Sequence, residues 1–494
     1  MNYVSRSSLS SKASGQFFTP AHVARSLVSW VRRNSADVLL DPSCGEGVML
    51  AEHTNSRGIE RDPYTAWRAR ESNPNARVDA TDFFLWAADT DERFDCAAGN
   101  PPFIRYQSFK GSSKAAARSI CEAEGVTLSG LSSAWVAFLI TTSSLLKPGG
   151  RMAFVVPAEI GHAPYATALI EYLLGSFSKV QVVAVREKIF PRVSEDCWLL
   201  YCEGRGGRTH QVHFSTLDSF MECPWPPTDT EVISWAYLRK NWRGRLRPLL
   251  IPPGARRAYL EAAAHSDATR FGDFAKIGIG YITGDNDFFH LSRSQIAEHQ
   301  VPDELLVPTV RRGANLVCNV IDQTALDVWD AEDQPCHLLC IPTGTEMPLT
   351  VLRYLESDAG QRARAAYKCR VRPVWYSVPG VTIPDYFLQY MSGSEVHLSA
   401  NAAGAACTNS IHAVRITDVE RAQRALPLWS SVLTKLSCEL EGHPLGGGML
   451  KLEPREAQRI LFQPYCYDWE VIREARQVLM RWRHQTVFTN PTAS

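Results

Sequence analysis

The chain has 494 residues, more than one ordinary domain holds, which predicts two large domains or three smaller ones. Lysine plus arginine number 52, as do aspartate plus glutamate, and this zero net charge argues against nucleic-acid binding, although the distribution of the charges matters more. No apolar run is long enough for a transmembrane helix, and the polar N-terminus lacks the apolar region of a secretory signal. The 13 cysteines have no paired metal-ligand spacing. We therefore expect a cytoplasmic protein with reduced cysteines, no metal site and no membrane contact.

The first half of the sequence alternates short apolar runs with helical patterns, which predicts a parallel α/β sheet. A helical pattern over 131–147 ends at a Lys-Pro-Gly-Gly turn. Right-handed crossovers between the strands would give a doubly wound, Rossmann-like sheet. The predicted strands are, in chain order, 38–40, 57–60, 76–80, 94–99, 151–156, 180–185 and 198–201.

The alternation is lost between about residues 204 and 255, where glycine and proline interrupt the chain. We place a domain boundary there, with a first domain over 1–235 and a second over 236–494. The second domain has no repeat and no clear pattern, and we predict an α+β fold. Seven cations follow this boundary without an intervening acid, and they form a solvated face, a basic linker or a phosphate contact: Arg239, Lys240, Arg243, Arg245, Arg247, Arg256 and Arg257.

A glycine-rich segment, 41–47 (DPSCGEG), directly follows the first predicted strand. Its glycines let the backbone approach a ligand closely, and a helix after it would offer free N–H groups. Glu60 ends the second strand, where an acid can accept hydrogen bonds from ribose hydroxyls. Asp82 follows the third strand and can accept from an adenine amine, while the ring of Phe83 covers the base. Each acid alone could be a cap or a surface charge, but together they favour a nucleotide-like ligand.

The fourth predicted strand ends at 100–103 (NPPF). An amine conjugated to an aromatic ring is a poor nucleophile, and it needs acceptors for its hydrogens. The side-chain carbonyl of Asn100 and the backbone carbonyl of Pro101 can be these acceptors, and two prolines hold them in position. Phe103 offers a flat face for a planar substrate. The alternative is a proline-rich turn that merely closes the strand.

In this order, the motifs of residues 15–203 resemble those of the adenine-N6 DNA methyltransferases of the gamma arrangement, in which the cofactor motifs precede the catalytic one. The segment 15–20 (GQFFTP) resembles the N-terminal cofactor motif of that family, and Thr19 would cap a helix that begins at Pro20. The resemblance implies a methyltransferase sheet that uses S-adenosylmethionine. It implies that the cofactor is bound by Phe18, Thr19, Asp41, Cys44, Gly45, Gly47, Glu60, Asp82, Phe83 and Asn100, with Glu60 on the ribose and Asp82 and Phe83 on the adenine.

The same resemblance implies that Asn100, Pro101 and Phe103 hold a flipped target adenine. Phe190, in the segment 189–191 (IFP), would stack on the base from the other side, unless it is a core residue. Phe103 stands where the family more commonly has tyrosine, so stacking is kept while any role of a hydroxyl is lost.

The second half resembles the target-recognition region of these enzymes, in the segments 278–289 (GIGYITGDNDFF), 311–313 (RRG), 368–376 (KCRVRPVWY) and 445–452 (LGGGMLKL). Cations beside aromatic residues suit DNA, although structural salt bridges are an alternative for many of them. The candidate DNA-binding residues are Arg311, Arg312, Lys368, Arg370, Arg372 and Trp375.

The motif 100–103 does not distinguish among planar amines, so methylation of RNA bases, of guanine N2, of a protein glutamine amide or of cytosine N4 in DNA stays open. An inactive DNA-binding module with this fold is a further alternative. The large second domain favours DNA, and cytosine-N4 enzymes more often carry serine at the position of Asn100. We expect double-stranded DNA as the substrate of a monomeric enzyme, possible service to a separately encoded restriction endonuclease, and no fused nuclease.

Overall fold

The computed structural model describes residues 19–104, 111–128, 133–190, 195–465 and 468–484. The chain divides into two compact units, the first reaching Ile251 and the second running from Pro252 to Arg483. This division lies later in the chain than the boundary that we predicted between residues 235 and 236. Leu246, beyond that boundary, is buried, and its N–H donates to the carbonyl of Gly161 in the first unit (2.9 Å). Among the helices of the described ranges, none has the length and apolarity that crossing a membrane requires.

In the part of the chain that the structure describes, the first unit is built on one sheet of nine strands. They are β1 (Leu39–Asp41), β2 (Ser56–Glu60), β3 (Arg77–Ala80), β4 (Phe94–Gly99), β5 (Leu146–Pro157), β6 (Phe177–Val185), β7 (Cys197–Arg205), β8 (Gln211–Leu217) and β9 (Glu231–Ser234). Their order is β3-β2-β1-β4-β5-β7-β6-β8-β9. The first five strands pair in parallel, and β7 runs antiparallel to both of its neighbours. The strand order reverses between β1 and β4, and in such sheets ligands bind beyond the carboxyl ends of strands at this switch point.

Helices connect β2 to β3, β3 to β4, β4 to β5 and β5 to β6, and the predicted doubly wound α/β fold is confirmed. Each of the seven predicted strands is present, with ends that differ by a few residues. The prediction that the regular pattern of the first domain ends near residue 204 is wrong, because β8 and β9 extend the same sheet. Both strands are short and partly exposed, so their apolar pattern in the sequence is weak. The helices are α1 (Ala21–Val31), α2 (Pro63–Ser72), α3 (Phe83–Asp89), α4 (Gly111–Ala123), α5 (Ala134–Ser144), α6 (Pro164–Ser176) and α7 (Trp235–Trp242).

Helix α1 packs on the sheet with apolar residues that recur every three or four positions. Val23, Leu27 and Val31 are buried in the cluster that also contains the core of β1, β4 and β5. Pro20 is the N-cap residue, and its carbonyl accepts from the N–H groups of Val23 and Ala24. No side chain caps this helix among the described residues, so the predicted cap by Thr19 is wrong.

Over its described residues, 252–465 and 468–483, the second unit is α+β, with short and mostly antiparallel strands in four sheets. The largest sheet has the order β11-β20-β16-β18-β14, and a second has the order β12-β15-β13-β19. The strands are β10 (Thr269–Arg270), β11 (Ala275–Ile279), β12 (His290–Leu291), β13 (Leu306–Val310), β14 (Val320–Ile321), β15 (His337–Leu339), β16 (Tyr386–Gln389), β17 (Met391–Ser392), β18 (Leu398–Asn401), β19 (Ala406–Cys407), β20 (Ile411–Ile416), β21 (His443–Pro444), β22 (Leu450–Lys451) and β23 (Leu461–Phe462).

Twelve α-helical segments among the described residues surround these sheets. They are α8 (Pro253–Ala264), α9 (Phe271–Phe274), α10 (Asn286–Phe289), α11 (Arg293–His299), α12 (Gln323–Ala331), α13 (Leu349–Glu356), α14 (Asp358–Ala365), α15 (Tyr367–Arg370), α16 (Val419–Ala425), α17 (Val432–Glu441), α18 (Pro454–Ala457) and α19 (Trp469–Arg483). The cations of the predicted basic stretch are divided between surface and interior, and four of them are exposed: Arg239, Lys240, Arg243 and Arg257. Arg245 and Arg247 of the first unit and Arg256 of the second are buried, and Arg239 pairs with Glu171 (2.9 Å).

Candidate active site

A cavity of about 380 Å³ lies at the switch point, where the carboxyl ends of β1 and β4 are adjacent. Most of the residues predicted to bind a cofactor surround it, although they come from three separate segments of the sequence. The predicted residues on its wall are Thr19, Asp41, Cys44, Gly45, Gly47 and Asn100. Phe18 lies outside the described residues.

The glycine-rich loop after β1 is held against β2 by hydrogen bonds. The N–H of Cys44 donates to the carbonyl of Ile59 (2.9 Å), and the N–H of Gly45 donates to a carboxylate oxygen of Glu60 (3.0 Å). A Cβ on Gly58 would lie 2.8 Å from Cys44 Sγ, so the close approach of the loop to β2 requires glycine there. Glu60 is 5% exposed and does not line the cavity. In the structure, Glu60 stabilises the glycine-rich loop through its hydrogen bond with Gly45, and its predicted contact with a ribose stays a prediction.

Gly47 keeps side chains out of this part of the loop. Its φ is +89°, and a Cβ would lie 2.4 Å from Asn73 Nδ2, whose amide is itself bonded to the carbonyl of Ala69 (3.0 Å). A side chain at position 47 is therefore excluded both by conformation and by space. The loop consequently offers backbone to the cavity, as the sequence predicted for a ligand that binds closely.

Asp41 is a buried carboxyl group on the cavity wall. It is 2% exposed, and it accepts a hydrogen bond from the N–H of Ser43 (3.1 Å). Burial raises the pKa of Asp41 to about 7, Ser43 opposes this shift, and the nearby charge of Glu60 adds to it. A carboxyl with this pKa is poised to ionise when a cationic group binds beside it.

Asp82 and Phe83 do not reach the cavity. Asp82 is the N-cap of α3, where Oδ1 accepts from the N–H groups of Phe84 and Leu85, and Oδ2 accepts from the hydroxyl of Ser113 (2.8 Å). Phe83 is 3% exposed and stacks on Phe138, with ring centres 5.2 Å apart. Both residues thus have structural roles, and their predicted contacts with the adenine of a cofactor stay predictions.

The motif 100–103 follows β4 directly. The hydroxyl of Ser43 donates to the backbone carbonyl of Asn100 (3.3 Å), which joins the motif to the glycine-rich loop. Pro101 is buried, and the half-buried ring of Phe103 packs against the core cluster that also contains Phe190. Phe190 is 6% exposed, as expected of a core phenylalanine, so its stacking role stays a prediction. Asn100 lines the same cavity as the glycine-rich loop, and Phe103 follows it three residues later in the sequence.

A set of hydrogen bonds that sequence reasoning missed anchors the chain after Phe103. The carbonyl of Ile104 accepts from the hydroxyl of Ser133 (3.1 Å) and from the N–H of Ala134 (2.8 Å), at the start of α5. The next residue, Trp135, donates through Nε1 to Glu159 just beyond β5 (2.8 Å). These partners are far apart in sequence and belong to no motif. The only sequence signal was the helical pattern that begins close to Ser133.

The structure separates the six candidate DNA-binding residues of the second unit. Arg311 and Arg312 line a second cavity, of about 300 Å³. Lys368 and Arg370 are exposed on α15. The remaining two are held by the fold: Arg372 donates to the carbonyl of Ile282 (2.6 Å), and the ring of Trp375 lies against that of Phe288 in an apolar cluster. The DNA contacts themselves stay predictions.

Three residues with metal-binding side chains meet near the second cavity. Potential ligand atoms of Asp330, Cys336 and His337 lie within 4.8 Å of one another. They are bonded to each other, since Asp330 Oδ1 accepts from His337 Nε2 (2.6 Å) and Cys336 Sγ (3.2 Å), while Oδ2 pairs with Arg293 (2.9 Å). The hydrogen bonds account for the cluster without an ion, and the absence of a metal site stays a prediction.

Three family models match this chain and together cover most of it. The model described as Type II methyltransferase M.Eco57I, C-terminal domain, matches residues 244–488. The model described as Eco57I restriction-modification methylase matches residues 48–190, and N-6 DNA Methylase matches residues 4–66. The chain belongs to the restriction-modification DNA methyltransferases. In this methyltransferase, the matches cover both the unit with the glycine-rich loop and the unit with the two-arginine cavity.

Two curated relatives of this methyltransferase align with it over most of their length. The Type II methyltransferase M.AccI of Acinetobacter calcoaceticus is 19% identical over 91% of this chain and 85% of the relative. The Type II methyltransferase M.XamI of Xanthomonas campestris pv. amaranthicola is 23% identical over 90% of this chain and 84% of the relative. Among solved structures, the type IIG restriction endonuclease BpuSI matches 96% of this methyltransferase and 66% of its own chain, with 14% identity and a TM-score of 0.45.

Proposed function

We propose that this methyltransferase transfers a methyl group from S-adenosylmethionine to the N6 amine of a flipped adenine in a specific site of double-stranded DNA. One observation carries the proposal: Asn100, the first residue of the motif suited to planar amines, lines the same cavity as the glycine-rich loop. The match of residues 4–66 to the N-6 DNA Methylase model supports adenine as the substrate. The match to the Eco57I restriction-modification methylase model and the names of the curated relatives, Type II methyltransferases, support methylation in a restriction-modification context. A separately encoded endonuclease as the partner is part of the proposal.

The residues of the first cavity fit the cofactor. S-adenosylmethionine, when bound, supplies a methyl group that its sulfonium activates for direct displacement. The loop at Gly45 and Gly47 offers backbone at the switch point of the sheet, where nucleotide-like ligands bind. Asp41 offers a buried carboxyl on the same wall, suited to a cationic amino group. Cys44 has a buried thiol whose pKa is raised by burial, so it is a neutral wall residue rather than a nucleophile.

In the proposed reaction, Asn100 and Pro101 orient the substrate. The side-chain carbonyl of Asn100 and the backbone carbonyl of Pro101 accept the two hydrogens of the amine, which directs its lone pair toward the methyl group. The half-buried ring of Phe103 stacks on the base, and Phe190 adds a second apolar surface. Because the methylated amine is cationic, its proton can leave after transfer, and no titrating base is required. Catalysis then depends on positioning and electrostatic stabilisation.

Sequencing of DNA, with detection of modified bases, from cells that express this chain tests the proposed function. We expect N6-methyladenine at one short motif, and no such mark in cells that express the Asn100→Ala variant. Methylated cytosine at N4 would assign the chain to the neighbouring class of DNA enzymes. Methylated RNA with unmodified DNA would reject DNA as the substrate, and an inactive protein that still binds DNA would indicate a binding module.

The raised pKa of Asp41 predicts a pH dependence of cofactor binding. Below pH 7 the buried carboxyl is protonated, and pairing with the amino group of the cofactor requires loss of that proton. We therefore expect the affinity for S-adenosylhomocysteine to rise about tenfold per pH unit up to about pH 7, and then to level off. Isothermal titration calorimetry between pH 5.5 and 8.5, in buffers of different ionisation enthalpy, measures both the affinity and the released proton.

Asp41→Asn removes the titrating group, so this variant should bind more weakly at pH 8 and without the pH dependence. Asp89→Asn is the matched control, since Asp89 is exposed at the end of α3 and away from the cavity. The stability of the ligand-free protein should depend on pH in the opposite direction. From about pH 4 to about pH 7, Asp41 holds a proton in the folded state that it has lost in the unfolded state, so the free energy of unfolding falls as the pH rises. A wild-type affinity that is flat over this range contradicts the role of Asp41.

A further inference from the structure

The second unit contains a cavity that none of the family matches assigns to a ligand. It lies at the end of β13 and has a volume of about 300 Å³. Two adjacent arginines line it together with amide side chains and an indole ring. The lining residues used below are Thr309, Arg311, Arg312, Asn315, Trp329 and Gln334.

The backbone that carries the two arginines is fixed in place. The carbonyl of Arg311 accepts from the hydroxyls of Thr408 (2.7 Å) and Ser410 (2.6 Å). The N–H of Arg312 donates to Asn315 Oδ1 (3.2 Å), and the carbonyl of Gly313 accepts from the side-chain amide of Gln389 (2.9 Å). Guanidinium groups that start from a fixed backbone lose less conformational entropy on binding, which favours a specific contact.

The cavity has more positive charge than its carboxylates balance. The side chain of Arg311 is only 14% exposed, and its nearest acid, Asp287, is 3.6 Å away and 99% exposed. Such a solvated partner offsets little of the cost of burying a cation, and burial lowers the pKa of Arg311. Arg312 has no carboxylate at ion-pair distance within the described part of the chain. Two arginine side chains thus line one cavity and can donate to hydrogen-bond acceptors there.

The groups beneath the arginines are neutral. Thr309 is hydrogen-bonded to the hydroxyl of Tyr281, which also contacts His290 Nε2 (2.8 Å). Burial lowers the pKa of His290 to about 4, so this histidine is uncharged near neutral pH. The thiol of Cys336 is neutral as well, because burial and the neighbouring Asp330 raise its pKa to about 12. No carboxylate is among the described residues that line the cavity, and Asp330, which is hydrogen-bonded to Cys336, is paired with Arg293.

We propose that Arg311 and Arg312 read a guanine of the DNA site, and this inference rests on the proposed action on DNA. Guanine presents two adjacent acceptors, O6 and N7, which match the paired donors of a guanidinium, and arginine to guanine is the commonest specific contact. The flanking amides of Asn315 and Gln334 and the ring of Trp329 suit a base edge more than a single phosphate.

A different surface of the same unit is suited to phosphates. The segment 361–373 carries five cations and no acid, and four of them are exposed on or beside α14 and α15: Arg362, Arg364, Lys368 and Arg370. Such solvated cations neutralise phosphates without reading sequence. The fixed arginines of the cavity and the exposed cations of this segment should therefore have separable effects on specificity and on affinity.

Selection of bound duplexes from a randomised DNA pool by the full chain tests the division, because it measures recognition without methyl transfer. We expect the wild type to enrich a motif that includes a G·C pair. Arg312→Gln, and Arg311→Gln, should each lose preference for a G·C pair by about tenfold or more. Arg424→Gln is the matched control, since Arg424 is exposed and paired with Glu420 (3.3 Å) elsewhere in the unit, and it should keep the motif. Arg312 is exposed, so we expect Arg312→Gln to fold. This variant decides the test even if Arg311→Gln fails to fold.

The salt dependence of DNA binding distinguishes residues that contact bases from residues that contact phosphates. A Lys368→Gln, Arg370→Gln double variant should keep the motif and lower the slope of log affinity against log salt by about two. The proposal is overturned if Arg312→Gln weakens all sequences equally and lowers that slope, or if it leaves the motif unchanged. Failure of methyl transfer in a wild type that still selects a motif rejects the proposed function alone. Methyl transfer with an unchanged motif in Arg312→Gln rejects this inference alone.

Discussion

We expect Asn100→Ala to lower the rate of methyl transfer about a thousandfold while the affinity for S-adenosylhomocysteine changes less than about threefold. The side-chain carbonyl is the group that orients the amine in the proposed reaction, and no other side chain of the motif can replace it. The loop that shapes the cofactor cavity is held by Glu60 and Cys44, which this substitution leaves in place. Single-turnover methylation and calorimetric binding measure the two quantities separately.

The matched control is Asn55→Ala. Asn55 is an exposed asparagine of the same unit, and its amide donates to the carbonyl of Ala36 (3.0 Å) at the opposite end of β1. We expect normal methyl transfer from this variant. If Asn100→Ala retains more than about a tenth of the wild-type rate, the amine is oriented by other groups and the proposed mechanism fails. If cofactor binding is lost together with the rate, Asn100 acts through the cavity rather than on the substrate base.

The fold of the first unit was predictable because its signals are local. Each buried parallel strand is a short apolar run, and the functional motifs directly follow β1 and β4. Adjacent parallel strands bring their carboxyl ends together, so motifs that lie about 55 residues apart in sequence meet at one cavity. Asn100 and Gly45 therefore line one cavity because of the sheet topology, which the order of the strands in the sequence predicts.

What the sequence did not contain was the environment of each side chain. Asp82 and Phe83 occupy the predicted strand end, yet the carboxyl caps α3 and the ring packs on Phe138. Thr19 lines the cavity without capping a helix. These outcomes depend on neighbours from other segments, such as Ser113 for Asp82, and a motif does not specify such neighbours.

The basic residues illustrate the same limit for charge. A run of cations without acids indicated a solvated face or a phosphate contact, but Arg247 is 2% exposed. The long apolar stem of arginine and its planar head allow burial against carbonyls and rings, which counting charges does not detect. The second unit has short strands and buried ionic contacts between remote segments, and neither leaves a local pattern in the sequence, so its fold could be predicted only as α+β.

Arg483 is the clearest of these contacts, and we expect its removal to destabilise the second unit by about 3–5 kcal/mol. Its side chain is fully buried, and Nη2 pairs with Glu439 (2.9 Å) and donates to the carbonyl of Ser394 (2.7 Å). Nη1 donates to the carbonyls of Ser392 (2.8 Å) and Gly448 (3.1 Å). One guanidinium at the end of α19 thus joins α17, β17 and the turn before β22. Arg483→Met keeps the volume but leaves a buried carboxylate and three carbonyls without these donors.

Hydrogen–deuterium exchange resolved by peptide measures this effect within the second unit. Amides of residues 386–462 that exchange through opening of this unit should exchange about a hundred- to several-thousand-fold faster in Arg483→Met. Arg481→Met is the control, because Arg481 is exposed two residues earlier on the same helix, and it should leave protection unchanged. Pairing Arg483→Met with Glu439→Gln should recover part of the loss, since the uncompensated buried charge is then removed. Equal protection in the two arginine variants would mean that apolar packing alone holds this region, and the sequence pattern should then have predicted more of its fold.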